Sequence, residues 1–297
     1  MLCEIYDGAT TDSGIYLYGT NQWGNDGSGS QCITVELDDD KTDAASFNAT
    51  WSWTNNSVWV HSFPNVQYES IQLPTQVNNV KSFNLNATWS VYPSGKRTDV
   101  TDEQALLAIG TKADIALDIF LDLDPDKASN ASAAAYEIMV WGAVWGGVWP
   151  IGYYEPTDGA PSYTLGGSTF QLFVGQNQQG QKQTVYSWVP TVNLDHIEGD
   201  LSELLHVIVD SGNLTDTLYM GVVQFGTETV HATSNVTAEF KNIFMDLEVN
   251  SAKPTPSKTS SGSGSTATSS GFANAMMPTI TSFAYPIAMG AAALLAL

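Results

Sequence analysis

Ala135-Tyr136-Glu137-Ile138-Met139-Val140-Trp141 and, some ninety residues on, Val223-Gln224-Phe225-Gly226-Thr227-Glu228-Thr229 decide how this chain folds. Both read as strands, in which alternate side chains share a face. Glu137, Met139 and Trp141 therefore point one way and Tyr136, Ile138 and Val140 the other, while Gln224, Gly226 and Glu228 stand together on the second strand. The same period of two recurs up to about Asn250, in runs such as Gly14-Ile15-Tyr16-Leu17-Tyr18 broken by Gly, Asn, Asp and Pro. The chain is expected to be all-β. No βαβ rhythm, Gly-rich phosphate loop or nucleophile elbow interrupts it. One stretch, residues 200–212, carries Leu201, Leu204, Leu205 and Ile208 at helical spacing, and a single short helix is expected there. Asp200 is its expected cap, Glu203 takes the capping-box position and Gly212 closes it.

Thirty-one acids against ten bases give a formal charge of −21, which repels phosphate backbones and argues against a nucleic-acid partner. A neutral polysaccharide is indifferent to that charge. Two cysteines and four scattered histidines make no zinc-ligand spacing, so neither a metal site nor a cofactor is expected. A carboxylate beside an aromatic ring suits sugar chemistry, because C–H faces of a pyranose stack on aromatic faces while an acid and a base break the acetal.

The first strand resembles the Glu-Leu/Ile-Met-Ile/Val-Trp signature of glycoside hydrolase family 12, and the second its Gln-x-Gly-Thr-Glu signature. Further pieces fall in that family's order: Asn21-Gln22-Trp23-Gly24, Gly29-Ser30-Gln31-Cys32, Ala113-Asp114-Ile115-Ala116-Leu117-Asp118, Pro150-Ile151-Gly152 and Val185-Tyr186-Ser187-Trp188-Val189. The likeness spans roughly residues 3 to 249. It implies a jelly-roll sandwich of two antiparallel sheets with a concave substrate cleft, and a retaining endo-β-1,4-glucanase acting on xyloglucan, mixed-linkage glucan or amorphous cellulose.

By position in the family pattern, Glu137 is the nucleophile, Glu228 the acid/base, and Asp118 an acid kept beside the nucleophile. Asn21 and Trp23 match a sugar-binding pair in the non-reducing half of the cleft. Met139 and Trp141, on the face of Glu137, are expected to floor it, and Gln224 to bond a sugar or the catalytic acid; Gly226 is expected to leave room for substrate. Asp114 and Asp122 alternate with Asp118 and are expected to be merely solvated. Thr229-Val230 departs from the family's usual Pro or Ala followed by Phe, and Trp145 and Trp149 are extra tryptophans that either lengthen the aromatic floor or pack a loop. A non-catalytic, surface-displayed glucan-binding or adhesion protein on the same fold is the alternative reading.

Cys3 and Cys32 are read as one disulfide. Six Asn-x-Ser/Thr sequons, at Asn48, Asn55, Asn86, Asn130, Asn213 and Asn235, add to the case for export. The chain opens Met1-Leu2-Cys3 without a basic and apolar leader, so export is expected to rest on a leader outside this sequence. Residues 1–250 form one expected catalytic domain. Residues 251–271, rich in Ser, Thr, Gly and Pro, read as a stalk without a core, and residues 272–297, ending in fifteen apolar residues from Phe283 to Leu297, as a GPI-anchor signal. The expectation is an extracellular monomer, in contact with a membrane only through a lipid anchor and acting on plant or cell-wall β-glucan.

Overall fold

The computed structural model describes residues 1–35, 44–56, 58–153, 161–178 and 182–250. The expected stalk and apolar tail lie outside the described residues.

Strands dominate because β-branched and aromatic residues recur at period two between turn formers. In chain order they are β1 (Gly8–Thr10), β2 (Tyr16–Gly19), β3 (Gly29–Val35), β4 (Ala45–Trp53), β5 (Asn65–Tyr68), β6 (Thr75–Gln76), β7 (Val80–Pro93), β8 (Lys112–Asp122), β9 (Tyr136–Trp145), β10 (Ser162–Leu165), β11 (Ser168–Gln176), β12 (Thr184–Pro190), β13 (His196–Asp200), β14 (Tyr219–Gly226), β15 (Thr229–His231) and β16 (Val236–Val249). One sheet follows the order β1-β2-β5-β14-β8-β9-β12-β11-β10, with β15 on β8 and β6 on β14; the other follows β13-β7-β16-β4-β3. Pairing is antiparallel throughout these ladders except between β9 and β12, which run parallel.

The two sheets pack face to face. Strand β4 shows the expected alternation, with Phe47, Ala49, Trp51 and Trp53 turned into the core. Phe47 stacks on Phe240 at 4.6 Å between centroids, and Phe240 meets Phe225 of the opposite sheet edge-on at 5.7 Å. Each buried aromatic of this size contributes about 1.5–3 kcal/mol, and Phe225 thereby fixes the end of β14 three residues before Glu228. The central strands β8 and β9 are buried on both faces. Ile138 and Val140 belong to the inter-sheet core, whereas Met139 and Trp141 join a second apolar cluster with Val60, Ala116, Val148, Ile151, Val185 and Val230 on the outer, cleft face.

The expected helix is α3 (Ser202–Asp210), and two shorter ones, α1 (Glu103–Ala108) and α2 (Pro125–Ala128), accompany it. Asp200 accepts hydrogen bonds from the Ser202 amide and hydroxyl but stands one residue ahead of the cap position, which Leu201 fills without a side-chain bond. Glu203 accepts a hydrogen bond from the Tyr163 hydroxyl at 2.6 Å instead of closing a capping box.

Candidate active site

Strand β8 lies between β9, which carries Glu137, and β14, which ends two residues before Glu228. Across one ladder Phe120 faces Glu137, and Asp118 faces Met139; across the other Asp118 faces Gln224, and Ala116 faces Gly226. Directly opposed residues share a face, so Asp118, Glu137, Met139 and Gln224 stand on the cleft side together. Glu228 lies just past β14, not within it, and is held by reciprocal bonds. Its amide donates to Asp114 Oδ1 at 3.1 Å, its carbonyl accepts from the Asp114 amide at 3.2 Å, and the Thr227 hydroxyl donates to the Asp114 carbonyl at 2.5 Å.

This corrects the expectation for Asp114 and Asp122. Asp114 is fully buried, and Asp122 is nearly so, accepting from the amides of Asp124 and Ala135. Acids at every fourth position look like a solvated face, but here that face lines a cleft between other strands. Gly226 is corrected as well. A Cβ there would stand 2.2 Å from the Pro64 carbonyl oxygen, so the space it spares is taken by the neighbouring strand and not by substrate.

Four carboxyl groups thus share one buried site, and burial is the first cause of displacement for each. It pushes Asp114 up to about 7, against the pull of its hydrogen bonds with Glu228, and Glu137 up to about 8. Asp118 is raised well above the carboxylate range by burial, then by the charges of Glu137 and Asp114. Glu228 is raised likewise by burial, then by Asp114, Asp118 and Glu137. Asp114 is thus the leading neighbour of Glu228, and Glu137 the leading charge acting on Asp118. The cluster carries fewer charges than carboxyls, and Glu228, displaced by burial and three acidic neighbours, holds its proton above the ordinary carboxylate range.

The predicted sugar-binding pair sits at the β2 side of this face. Asn21 has a left-handed backbone, φ 39°, tolerable for asparagine. Its carbonyl accepts from the Phe63 amide, while Gln22 Nε2 donates to the carbonyls of Cys3 and Glu4. Cys3 is joined to Cys32 by a disulfide, as expected, so the bridge and Gln22 together anchor the loop. Gly24 closes it where a Cβ would stand 2.2 Å from the Val60 carbonyl oxygen. Trp23 then packs on the cleft-face cluster.

Several polar atoms around this face find no hydrogen-bond partner in the protein: both carboxyl oxygens of Glu137 and of Glu228, Asn21 Oδ1, Trp23 Nε1, Trp141 Nε1 and Ser187 Oγ. Each unsatisfied buried group costs about 1–3 kcal/mol. Gln224, by contrast, donates to Gln67 Oε1 at 2.8 Å. Thr229 turns into the interior, where its hydroxyl accepts from Trp53 Nε1 at 2.8 Å, so of the unusual Thr229-Val230 pair it is Val230 that joins the cleft-face cluster. Among the described residues no group of three or more His, Cys, Asp or Glu is disposed to hold a metal ion.

The family model of Glycosyl hydrolase family 12 matches residues 14–248. A xyloglucan-specific endo-beta-1,4-glucanase A of Aspergillus niger is 32% identical over 228 residues, covering 76% of this chain and 82% of that one. A xyloglucan-specific endo-beta-1,4-glucanase 1 of Phytophthora nicotianae is 27% identical over 229 residues, 76% of this chain and 83% of that one. Among solved structures, the endoglucanase 3 of Trichoderma harzianum superposes with a TM-score of 0.66 at 28% identity, over 84% of this chain and 96% of that one.

Proposed function

The chain belongs to glycosyl hydrolase family 12, and from that premise we propose that it is an endo-β-1,4-glucanase cutting xyloglucan, mixed-linkage glucan or amorphous cellulose with retention of configuration. The observation that carries this reading is the set of buried polar atoms without protein partners, centred on two glutamates. A polyhydroxylated chain satisfies such atoms, and the carboxyls supply the chemistry. In the first step Glu137 attacks the anomeric carbon as Glu228 gives its proton to the departing glycosidic oxygen. In the second, Glu228 takes a proton from water, whose oxygen displaces Glu137. The upward displacement of Glu228 supports its role, since the acid must hold its proton until the glycosidic oxygen departs. A lectin gains nothing from burying four acids at one glycosidic bond, which disfavours the adhesion reading.

Reducing ends should appear when the protein is incubated with xyloglucan, barley-type mixed-linkage glucan or carboxymethyl cellulose. Release from none of the three would sink the glucanase reading.

Asp114 is expected to tune the acid. The charged groups facing Glu228 are Asp114 and Asp118 from β8 and Glu137 from β9. Asp114→Asn keeps an acceptor for the Glu228 amide and removes the nearest charge, so Glu228 releases its proton at lower pH. The alkaline limb of kcat/KM should move down by on the order of one pH unit. A pH–rate profile with that limb unmoved would show that Asp114 acts only as a brace.

Location rests on the termini and the surface. The disulfide, the exposed sequons at Asn55, Asn86, Asn213 and Asn235, and the apolar carboxy-terminal stretch support an extracellular protein held by a lipid anchor. Asn48 and Asn130 are half-buried. Expressed with an export leader, the protein should be freed from membranes by phosphatidylinositol-specific phospholipase. Recovery from the medium with Phe283 to Leu297 still attached would refute the anchor.

A further inference from the structure

The extra tryptophans part company in the structure. Trp145 is buried in the inter-sheet core, whereas Trp149 is 36% exposed and stacks on Tyr153 with centroids 4.0 Å apart and planes within 20°. Tyr153 in turn lies 5.4 Å from Phe173 of β11. The backbone explains why these rings meet. Gly146 and Gly147 are both left-handed, at φ 75° and 73°, and turn the chain back after β9. Val148 and Ile151 then sink into the cleft-face cluster, and Gly152 lies against β11, where a Cβ would stand 2.1 Å from the Val174 carbonyl oxygen. The segment is pinned, and its two rings remain on top.

Register places this group on the catalytic face. Met139 of β9 is aligned with Ser187 of β12, and Ser187 with Phe173 of β11. Phe173 is therefore two strand spacings, roughly 10 Å, from Met139. A cavity of about 310 Å³ joins the two regions, lined by Trp141 from the catalytic strand together with Trp149, Tyr153, Phe173 and Gln171; none of its thirteen lining residues is charged. Along the sheet the order is then Trp23 beside β2, the four acids on and beside β14, β8 and β9, and this cavity over β12 and β11.

We propose that Trp149, Tyr153 and Phe173 form an aromatic platform for β-1,4-linked glucosyl units on the far side of the acids from Trp23. The platform rests on the glucanase reading, in which Trp23 holds the non-reducing half, and it assigns these rings to the leaving-group half. An uncharged cleft continuous with Trp141 suits a neutral glucan, whose pyranose C–H faces stack on aromatic rings.

Two readouts test it. Cellohexaose is titrated by calorimetry into Glu137→Gln and into Glu137→Gln with Trp149→Ala, and affinity is expected to fall roughly three- to tenfold. In the active enzyme, the ratio of kcat/KM on cellohexaose to that on an aryl cellobioside, which places no sugar in the leaving-group half, is expected to fall by a similar factor. Trp149→Phe, which keeps a ring, should recover part of the ratio. An unchanged affinity, no binding at all, or an equal loss on both substrates would overturn the platform. Failure of the wild-type protein to cut any β-glucan would instead strike the glucanase reading, and the titration still judges the platform.

Discussion

Glu137→Ala is expected to lower kcat on xyloglucan by roughly 10⁴- to 10⁶-fold, the scale of losing a covalent nucleophile. The expectation follows from place as well as residue type. Glu137 is fully buried on the central strand, and neither carboxyl oxygen has a partner in the protein. Both are thus uncommitted before substrate arrives, and Asp118, raised by burial and by the charge of Glu137, favours its protonated form beside the nucleophile. Removing the side chain leaves a space that a small anion can enter. Azide should therefore restore part of the rate on an activated aryl glycoside and yield a glycosyl azide of inverted configuration. Near wild-type activity in Glu137→Ala, or azide without effect on rate or product, would remove Glu137 from the nucleophile's role.

Glu228→Ala is expected to divide substrates by their leaving groups. On polysaccharide, where the departing alkoxide needs its proton, kcat should fall by about 10²- to 10⁴-fold. On an aryl glycoside with an acidic phenol the glycosylation step should lose less than about tenfold, because that leaving group departs without help. The alkaline limb of the pH profile, which reports loss of the Glu228 proton, should vanish in the variant. The sign is fixed by the raised pKa: the wild-type acid is competent below its displaced value and fails as pH climbs through it. A uniform loss on both substrate types would mean that Glu228 shapes the site without transferring the proton.

Much of this site was legible in the sequence, because period two is a strong constraint. Glu137, Met139 and Trp141 share a face in the structure as the alternation requires, with Ile138 and Val140 on the other. What escaped was the environment of that face. Asp114, Asp118 and Asp122 recur at a spacing that a solvated strand would also show, and only the apolar Ala116 and Phe120 interleaved with them hinted that β8 is buried on both sides. The partnership of Asp114 with Glu228 depends on a pairing between segments more than a hundred residues apart, which no local pattern reports. Gly226 misled for the same reason, since the backbone it makes room for comes from Pro64 and Asn65. Trp149 was ambiguous because its surroundings come from Tyr153, on which it stacks, and through Tyr153 from Phe173 of β11. Short helices such as α1 and α2 carry too few residues for a helical period to emerge.

The central claim is double displacement by Glu137 and Glu228 on one face of the sheet, and its most direct test is the configuration of the first product. Proton NMR of a xyloglucan or cello-oligosaccharide digest, recorded before mutarotation, should show newly formed reducing ends as the β-anomer, with the α-anomer growing in only later. Reducing ends that appear as the α-anomer from the outset would mean a single inverting attack by water, and would contradict the account.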